Sequence, residues 1–179
     1  MVKAIREEEL RVAREQWKVD LGSAGLPSER LRLVILANWT RWFDRAHGSM
    51  TFRVTQVLTG HRYFADFLYR IGKTERPTCW YCRLEEDTAS HTVEACPAWK
   101  DKRDALKRVV GEDLTPPGLI RAMVGSREGW VAVASFAERV MTAKEQRERL
   151  RQRTRRSVHR ATRLSGRNGG GSRVSAGMT

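Results

Sequence analysis

Three cysteines and one histidine, spaced C-x2-C-x8-H-x4-C over Cys79, Cys82, His91 and Cys96, constrain this chain more than any other feature. The set uses every cysteine present. Zinc takes four tetrahedral nitrogen and sulfur ligands, and a set of four protein ligands leaves no position for water, so the spacing predicts a closed structural site rather than a catalytic one. A two-residue gap lets Cys79 and Cys82 grip an ion from a tight turn. Thr88 stands where it can cap a short helix that presents His91 and Cys96. With three ionised thiols, the ion and its ligands carry one net negative charge, which Arg83, Lys100 and Arg103 are near enough in sequence to offset. The competing reading is three ordinary buried cysteines beside an unrelated histidine. An odd cysteine count argues against a secreted disulfide framework.

Around this motif the sequence reads as all-α: a small helical body with an embedded zinc knuckle and a basic, partly disordered C-terminal tail. Helical periodicity runs from Val2 to Leu21 and ends over Gly22–Pro27. A second helix is expected from near Pro27, with Leu31, Val34, Ile35, Asn38, Trp39 and Trp42 in step, stopping near His47-Gly48. Residues 51 to 72 predict one or two short helices, interrupted at Gly60 and ended by Gly72. Pro97 opens a helix closed by Gly111, Pro116-Pro117 starts one ending at Gly125, and the last begins near Ser126. It buries Trp130, Val133, Phe136, Ala137, Val140 and Met141, then loses its apolar stripe beyond Lys144. These boundaries predict a helical segment over 1–48, a knuckle-bearing domain over 49–143 with the knuckle at 79–96, and an arginine-rich helix and flexible tail over 144–179.

Charge is distributed unevenly. Of 34 Lys and Arg and 21 Asp and Glu, 12 basic and 2 acidic residues lie from Arg139 onward, so the preceding part is mildly basic and the tail strongly so. This balance points to a polyanionic partner, RNA or DNA. Arg147, Arg151 and Arg155 recur every four residues, with Arg156 and further arginines adjacent. Like charges at that spacing repel by roughly 0.2–0.5 kcal/mol per pair, predicting a helix that frays when free and is ordered by phosphate. The bland alternative is a solvated charge run. In the knuckle, Trp80 and Tyr81 can stack on unpaired bases, or pack onto neighbouring helices instead. Arg83 joins them as a candidate nucleic-acid contact. His47, His61 and His159 read as turn or packing residues. No apolar run reaches the roughly 18 residues of a membrane span, and the charged N-terminus lacks a signal-peptide core, predicting an intracellular protein. The arginine run would also serve as a nuclear import signal, which suggests the nucleus.

Taken together, several segments resemble the C-terminal region of reverse transcriptases from non-long-terminal-repeat retrotransposons, a type common in insects. They are Thr55-Gln56-Val57-Leu58-Thr59-Gly60-His61, Tyr63-Phe64, Phe67-Leu68-Tyr69-Arg70-Ile71-Gly72, the Cys-Cys-His-Cys knuckle with Glu86-Asp87-Thr88-Ala89-Ser90, and Cys96-Pro97-Ala98-Trp99 with Arg103. Trp130, Phe136 and Lys144-Glu145 fit the same pattern, and the resemblance covers roughly residues 38 to 150. Arg62 stands where the family places glycine.

The resemblance implies a parent enzyme that is an RNA-directed DNA polymerase, but the polymerase's metal-binding carboxylates, which hold magnesium against the incoming phosphates, are not found here. Phe64-Ala65-Asp66-Phe67 imitates an aromatic-x-Asp-Asp turn but ends in phenylalanine. Three functions are thereby expected in order. The first is a non-enzymatic, zinc-containing nucleic-acid-binding module, a detached tail of such an enzyme, holding template RNA or target DNA. The second is a structural or protein-interaction module that docks on the rest of a reverse transcriptase, with Trp17, Trp39 and Trp42 as its candidate surface. The third is polymerase activity inherited from the family.

Overall fold

A computed structural model describes residues 2–25 and 29–165. It consists of helices α1 (Val2–Gly22), α2 (Glu29–Ala37), α3 (Trp39–Asp44), α4 (Phe52–Thr59), α5 (Ala65–Arg70), α6 (Lys100–Val110), α7 (Pro116–Gly125) and α8 (Arg127–Ser165). Between α5 and α6 come a π turn, His91–Ala95, and a 3-10 turn, Pro97–Trp99. No strand occurs among the described residues; an isolated antiparallel bridge pairs Thr78 with Glu86. The fold is all-α with the Cys-Cys-His-Cys cluster inside it. The chain divides into two units, Met1–Thr142 and Ala143–Thr179.

In the first unit, capping residues set several helix limits. The Thr51 hydroxyl accepts from the Val54 amide at 3.2 Å and starts α4, and Gly60 ends it in the left-handed region at φ 68°. Pro116 sits in the first turn of α7 with Thr115 as its cap. The Ser126 hydroxyl accepts from the Gly129 amide at 2.9 Å where α8 begins. Val54, Val57, Leu58, Phe64 and Leu68 of the first block are buried, as are Leu106, Ile120, Met123, Trp130, Val133, Phe136 and Val140 from the last three helices. Each such large side chain contributes about 1.5–3 kcal/mol when removed from water.

One expectation needs correction. The long second helix is broken: α2 ends at Ala37 and α3 starts at Trp39. At Asn38 the side-chain Nδ2 donates to the Val34 carbonyl at 2.9 Å while the backbone amide turns to Ile35, so a side chain competes with the helical ladder. The arginine-rich segment lies in one helix that reaches Ser165. Glu145 pairs with Arg149 at 2.6 Å, and Glu148 accepts from Arg151 and Gln152, so carboxylates offset part of the like-charge repulsion. The flexible tail expected beyond Ser165 lies outside the described residues, as do the Pro27 start and the His159 side chain.

Candidate metal centre

The knuckle is assembled by backbone turns before any ion is considered. After Cys82 the chain passes through Arg83 in the left-handed region at φ 60°. The Arg83 amide bonds back to the Cys79 carbonyl at 2.9 Å, and the Cys79 amide bonds to the Glu85 carbonyl at 2.7 Å. This loop turns both thiols inward. On the other side, the Thr88 hydroxyl accepts from the His91 amide at 3.0 Å, as its spacing predicted. The following turn is widened: the Cys96 amide bonds to the His91 carbonyl, five residues back, at 2.7 Å. In an α-helix, residues five apart are rotated by about 140° around the axis, whereas the π turn brings the fifth residue back toward the first. That widening lets His91 and Cys96 face one point.

The ligand atoms of Cys79, Cys82, His91 and Cys96 all lie within 4.8 Å of one another. Cys79 and Cys96 are fully buried, with sulfurs 3.9 Å apart, and Cys82 Sγ lies 3.3 Å from His91 Nε2. This group could hold a metal ion, and three thiols with one imidazole are a donor set that suits zinc. A carboxylate completes the fit. Glu85 Oε2 lies 2.9 Å from His91 Nδ1, which fixes that nitrogen as the proton-bearing one and leaves Nε2 for a metal. Partial burial raises the pKa of the half-buried Cys82 thiol, but the Leu84 and Glu85 amides and His91 outweigh this and bring it down to about 7. Burial, aided by the neighbouring Cys79, pushes Cys96 up to about 12.

The cluster is tied to its surroundings by Asp87, to which the sequence assigned no role, and by Arg103, expected there only to offset charge. Asp87 is fully buried; Oδ2 accepts from the Ala65 amide at 3.1 Å and Oδ1 from the Thr92 hydroxyl at 3.2 Å. It joins the start of α5 to the knuckle helix. Arg103 is buried and donates to the Cys96 carbonyl at 2.9 Å. Of the three cations expected to offset the cluster's charge, Arg103 alone is seen bonded to it. Lys100 is exposed and pairs with Asp104 at 2.6 Å, and Arg83 is exposed. No spacing rule points to Glu85 or Asp87, because their partners are fixed by the turns between them.

The candidate nucleic-acid contacts fall in different settings. Tyr81 is half-buried with its ring 4.5 Å from that of Trp99, so this aromatic packs within the knuckle, and Trp80 is half-buried. Arg147, Arg155 and Arg156 are exposed on α8, whereas Arg151 is half-buried and pairs with Glu148 at 2.8 Å. The Phe64–Phe67 imitation of a polymerase turn is a helix start: Phe64 is buried and Asp66 pairs with Arg70 at 3.1 Å. Trp42 packs 5.9 Å from Trp130, and Trp39 stands edge-on to Phe43 of the same helix at 4.6 Å; both tryptophans are half-exposed. Trp17 is 51% exposed. His61 packs against Phe67 at 4.9 Å, and His47 donates from Nε2 to the Met123 carbonyl at 3.0 Å.

The chain is similar to the Retrovirus-related Pol polyprotein from type-1 retrotransposable element R1 4 of Nasonia vitripennis, with 32% identity over 94 residues, 52% of this chain. The match spans 24% of that polyprotein, and it supports a retrotransposon-derived region here. No protein-family model matches, and no solved structure matches. No helix among the described residues is long and apolar enough to cross a membrane.

Proposed function

We propose that this protein is a nucleic-acid-binding module from the C-terminal region of a non-long-terminal-repeat retrotransposon reverse transcriptase. A structural zinc ion on Cys79, Cys82, His91 and Cys96 fastens its body, and arginines hold the backbone of RNA or DNA. The observation that carries the reading is the charge of α8 beyond Thr142. Over residues 143–165 stand nine Lys and Arg against two Glu. Arg153, Arg155 and Arg156 are exposed and make no ion pair with any described residue. Such unpaired guanidiniums bind phosphate with little sequence preference and a steep salt dependence. Within this reading 1–48, 49–143 and 144–179 are separate segments, Trp80 and Arg83 add contacts at the knuckle, and the nucleus is the site of action. The chain has no polymerase activity of its own.

The test is a fluorescence titration of the full chain with single-stranded RNA at two salt concentrations. Binding should weaken steeply with salt, and removing residues 144–179 should weaken it further. Unchanged affinity after that truncation and after Trp80→Ala defeats the reading. Primer extension should show no incorporation.

A second reading, in which the zinc module docks on a reverse transcriptase core, is favoured by the Tyr81–Trp99 contact, because it commits a candidate base-stacking ring to packing. Retained binding to a reverse transcriptase core with no affinity for RNA or DNA would select it.

A further inference from the structure

Away from the knuckle, a groove of about 650 Å³ runs between the loop after α3 and the first four turns of α8. Its loop wall is held rigidly. The Arg45 guanidinium is sandwiched between the rings of Trp42 and Trp130, 4.6 and 4.3 Å from their centroids. His47 is bonded to the Met123 carbonyl. Gly48, at φ 74°, lies flat on Trp130, so close that a Cβ there would fall 2.2 Å from the indole. The opposite wall carries Arg127 and Arg139, both exposed, and neither forms an ion pair or hydrogen bond with a described residue. Ser49 and Ser135, also exposed and lining the groove, likewise have no hydrogen bond among the described residues. Val131, 54% exposed, offers an apolar floor between the two arginines. The carboxylate in the groove, Glu138, faces Arg53 at 3.9 Å, which offsets its repulsion of an anion.

We propose that this groove is a second binding site for single-stranded nucleic acid, with backbone phosphates at Arg127 and Arg139 and sugars or bases over Val131. Twelve helical residues separate the two arginines, a rise of about 18 Å. About five stacked nucleotides at 3.4 Å each span that distance. The hydroxyls of Ser49 and Ser135 supply donors for phosphate or ribose oxygens between the two ends. An anionic, repeating ligand with flat apolar faces satisfies the two separated cations and the apolar floor together. The site is distinct from the arginines beyond Thr142, and it rests on the nucleic-acid reading above.

The experiment is anisotropy of the full chain with a labelled 12-nucleotide single-stranded RNA across a salt series. Its arms are wild type, the double variant Arg127→Ala/Arg139→Ala, and an equal-charge control, Arg6→Ala/Arg11→Ala in α1, with circular dichroism to confirm folding. Each phosphate contact on a single strand contributes about 0.7 to the slope of log affinity against log salt. The groove variant should bind about five- to tenfold more weakly, with the slope reduced by about 1.4, while the control keeps the wild-type slope. If wild type binds and the two variants behave alike, the groove is overturned and the nucleic-acid reading stands. If wild type does not bind, both fall. If the groove variant keeps its RNA affinity but loses binding to a poly-glutamate peptide, the groove serves an acidic protein instead and the proposal is overturned.

Discussion

In the knuckle, each buried charged group has a stated partner: Asp87 spans the Ala65 amide and the Thr92 hydroxyl, Arg103 holds the Cys96 carbonyl, and the exposed Glu85 orients His91. Along 143–165 the balance is reversed, with nine cations, two carboxylates, and several guanidiniums left to solvent. The first arrangement spends polar groups on fixing one geometry, since an unmatched polar group inside a protein costs more than the bond it would make gains. The second leaves charge available, which adds little to folding and much to encounter with a polyanion. Substitutions in the two regions should therefore separate cleanly into losses of stability and losses of salt-dependent binding.

The largest effect is expected at the ligands. Cys96→Ser removes a buried ligand, and because metal binding at such a site is coupled to folding, unfolding free energy should fall by more than about 3 kcal/mol in urea. A loss under about 1 kcal/mol would place the knuckle's stability elsewhere. Next comes Asp87→Ala, which leaves a buried amide and a buried hydroxyl without their acceptor and should cost about 2–3 kcal/mol by the same measurement.

Glu85→Gln should weaken zinc binding by about 10- to 100-fold with a smaller effect on folding, because it frees the imidazole to rotate and change tautomer. Competition with a chromophoric chelator reads this directly. The same titration has a defined pH dependence. With its pKa at about 12, Cys96 is protonated in the metal-free protein at every physiological pH, so binding displaces that proton throughout. Cys82, at about 7, gives up a second proton only below neutrality. Affinity should thus rise with pH at least tenfold per unit above pH 7, and more steeply below it.

The arginine region should show the converse. Replacing Arg153, Arg155 and Arg156 by alanine should change stability by less than about 0.5 kcal/mol while lowering the salt slope for RNA by about 2. A stability loss as large as that of Asp87→Ala would erase the distinction between the regions. The smallest effect is expected at Arg62, which holds φ 77° with its guanidinium 5.1 Å from the Phe52 ring centroid. Relief of left-handed strain, about 1–2 kcal/mol, is offset by the lost ring contact and by glycine's greater chain entropy. Arg62→Gly should therefore gain about 0.5 kcal/mol in thermal unfolding.

Arg62 also shows what the sequence made legible. Glycine was expected at that position, and the positive φ is the reason a glycine suits it. Helix limits set by local punctuation, such as Gly60 and Pro116, could be read directly, because a left-handed residue or a first-turn proline acts within its own turn. The convergence of Cys79, Cys82, His91 and Cys96 on one point was legible from spacing alone. The break at Asn38 was not, since asparagine in step with an apolar stripe looks helical until its side chain takes the Val34 carbonyl. The π turn was not either, because the gap from His91 to Cys96 fits several turn types and tertiary convergence selects one. Glu85 and Asp87 were hidden for the same reason: their partners are made neighbours by the turns that bind them.

Metal analysis of freshly purified, reduced protein decides whether a zinc ion organises the knuckle. Inductively coupled plasma mass spectrometry should find one zinc per chain after exhaustive dialysis, and none in the Cys96→Ser variant under the same treatment. A wild-type chain that folds cooperatively with no bound metal, and takes up none when zinc is added, would contradict it.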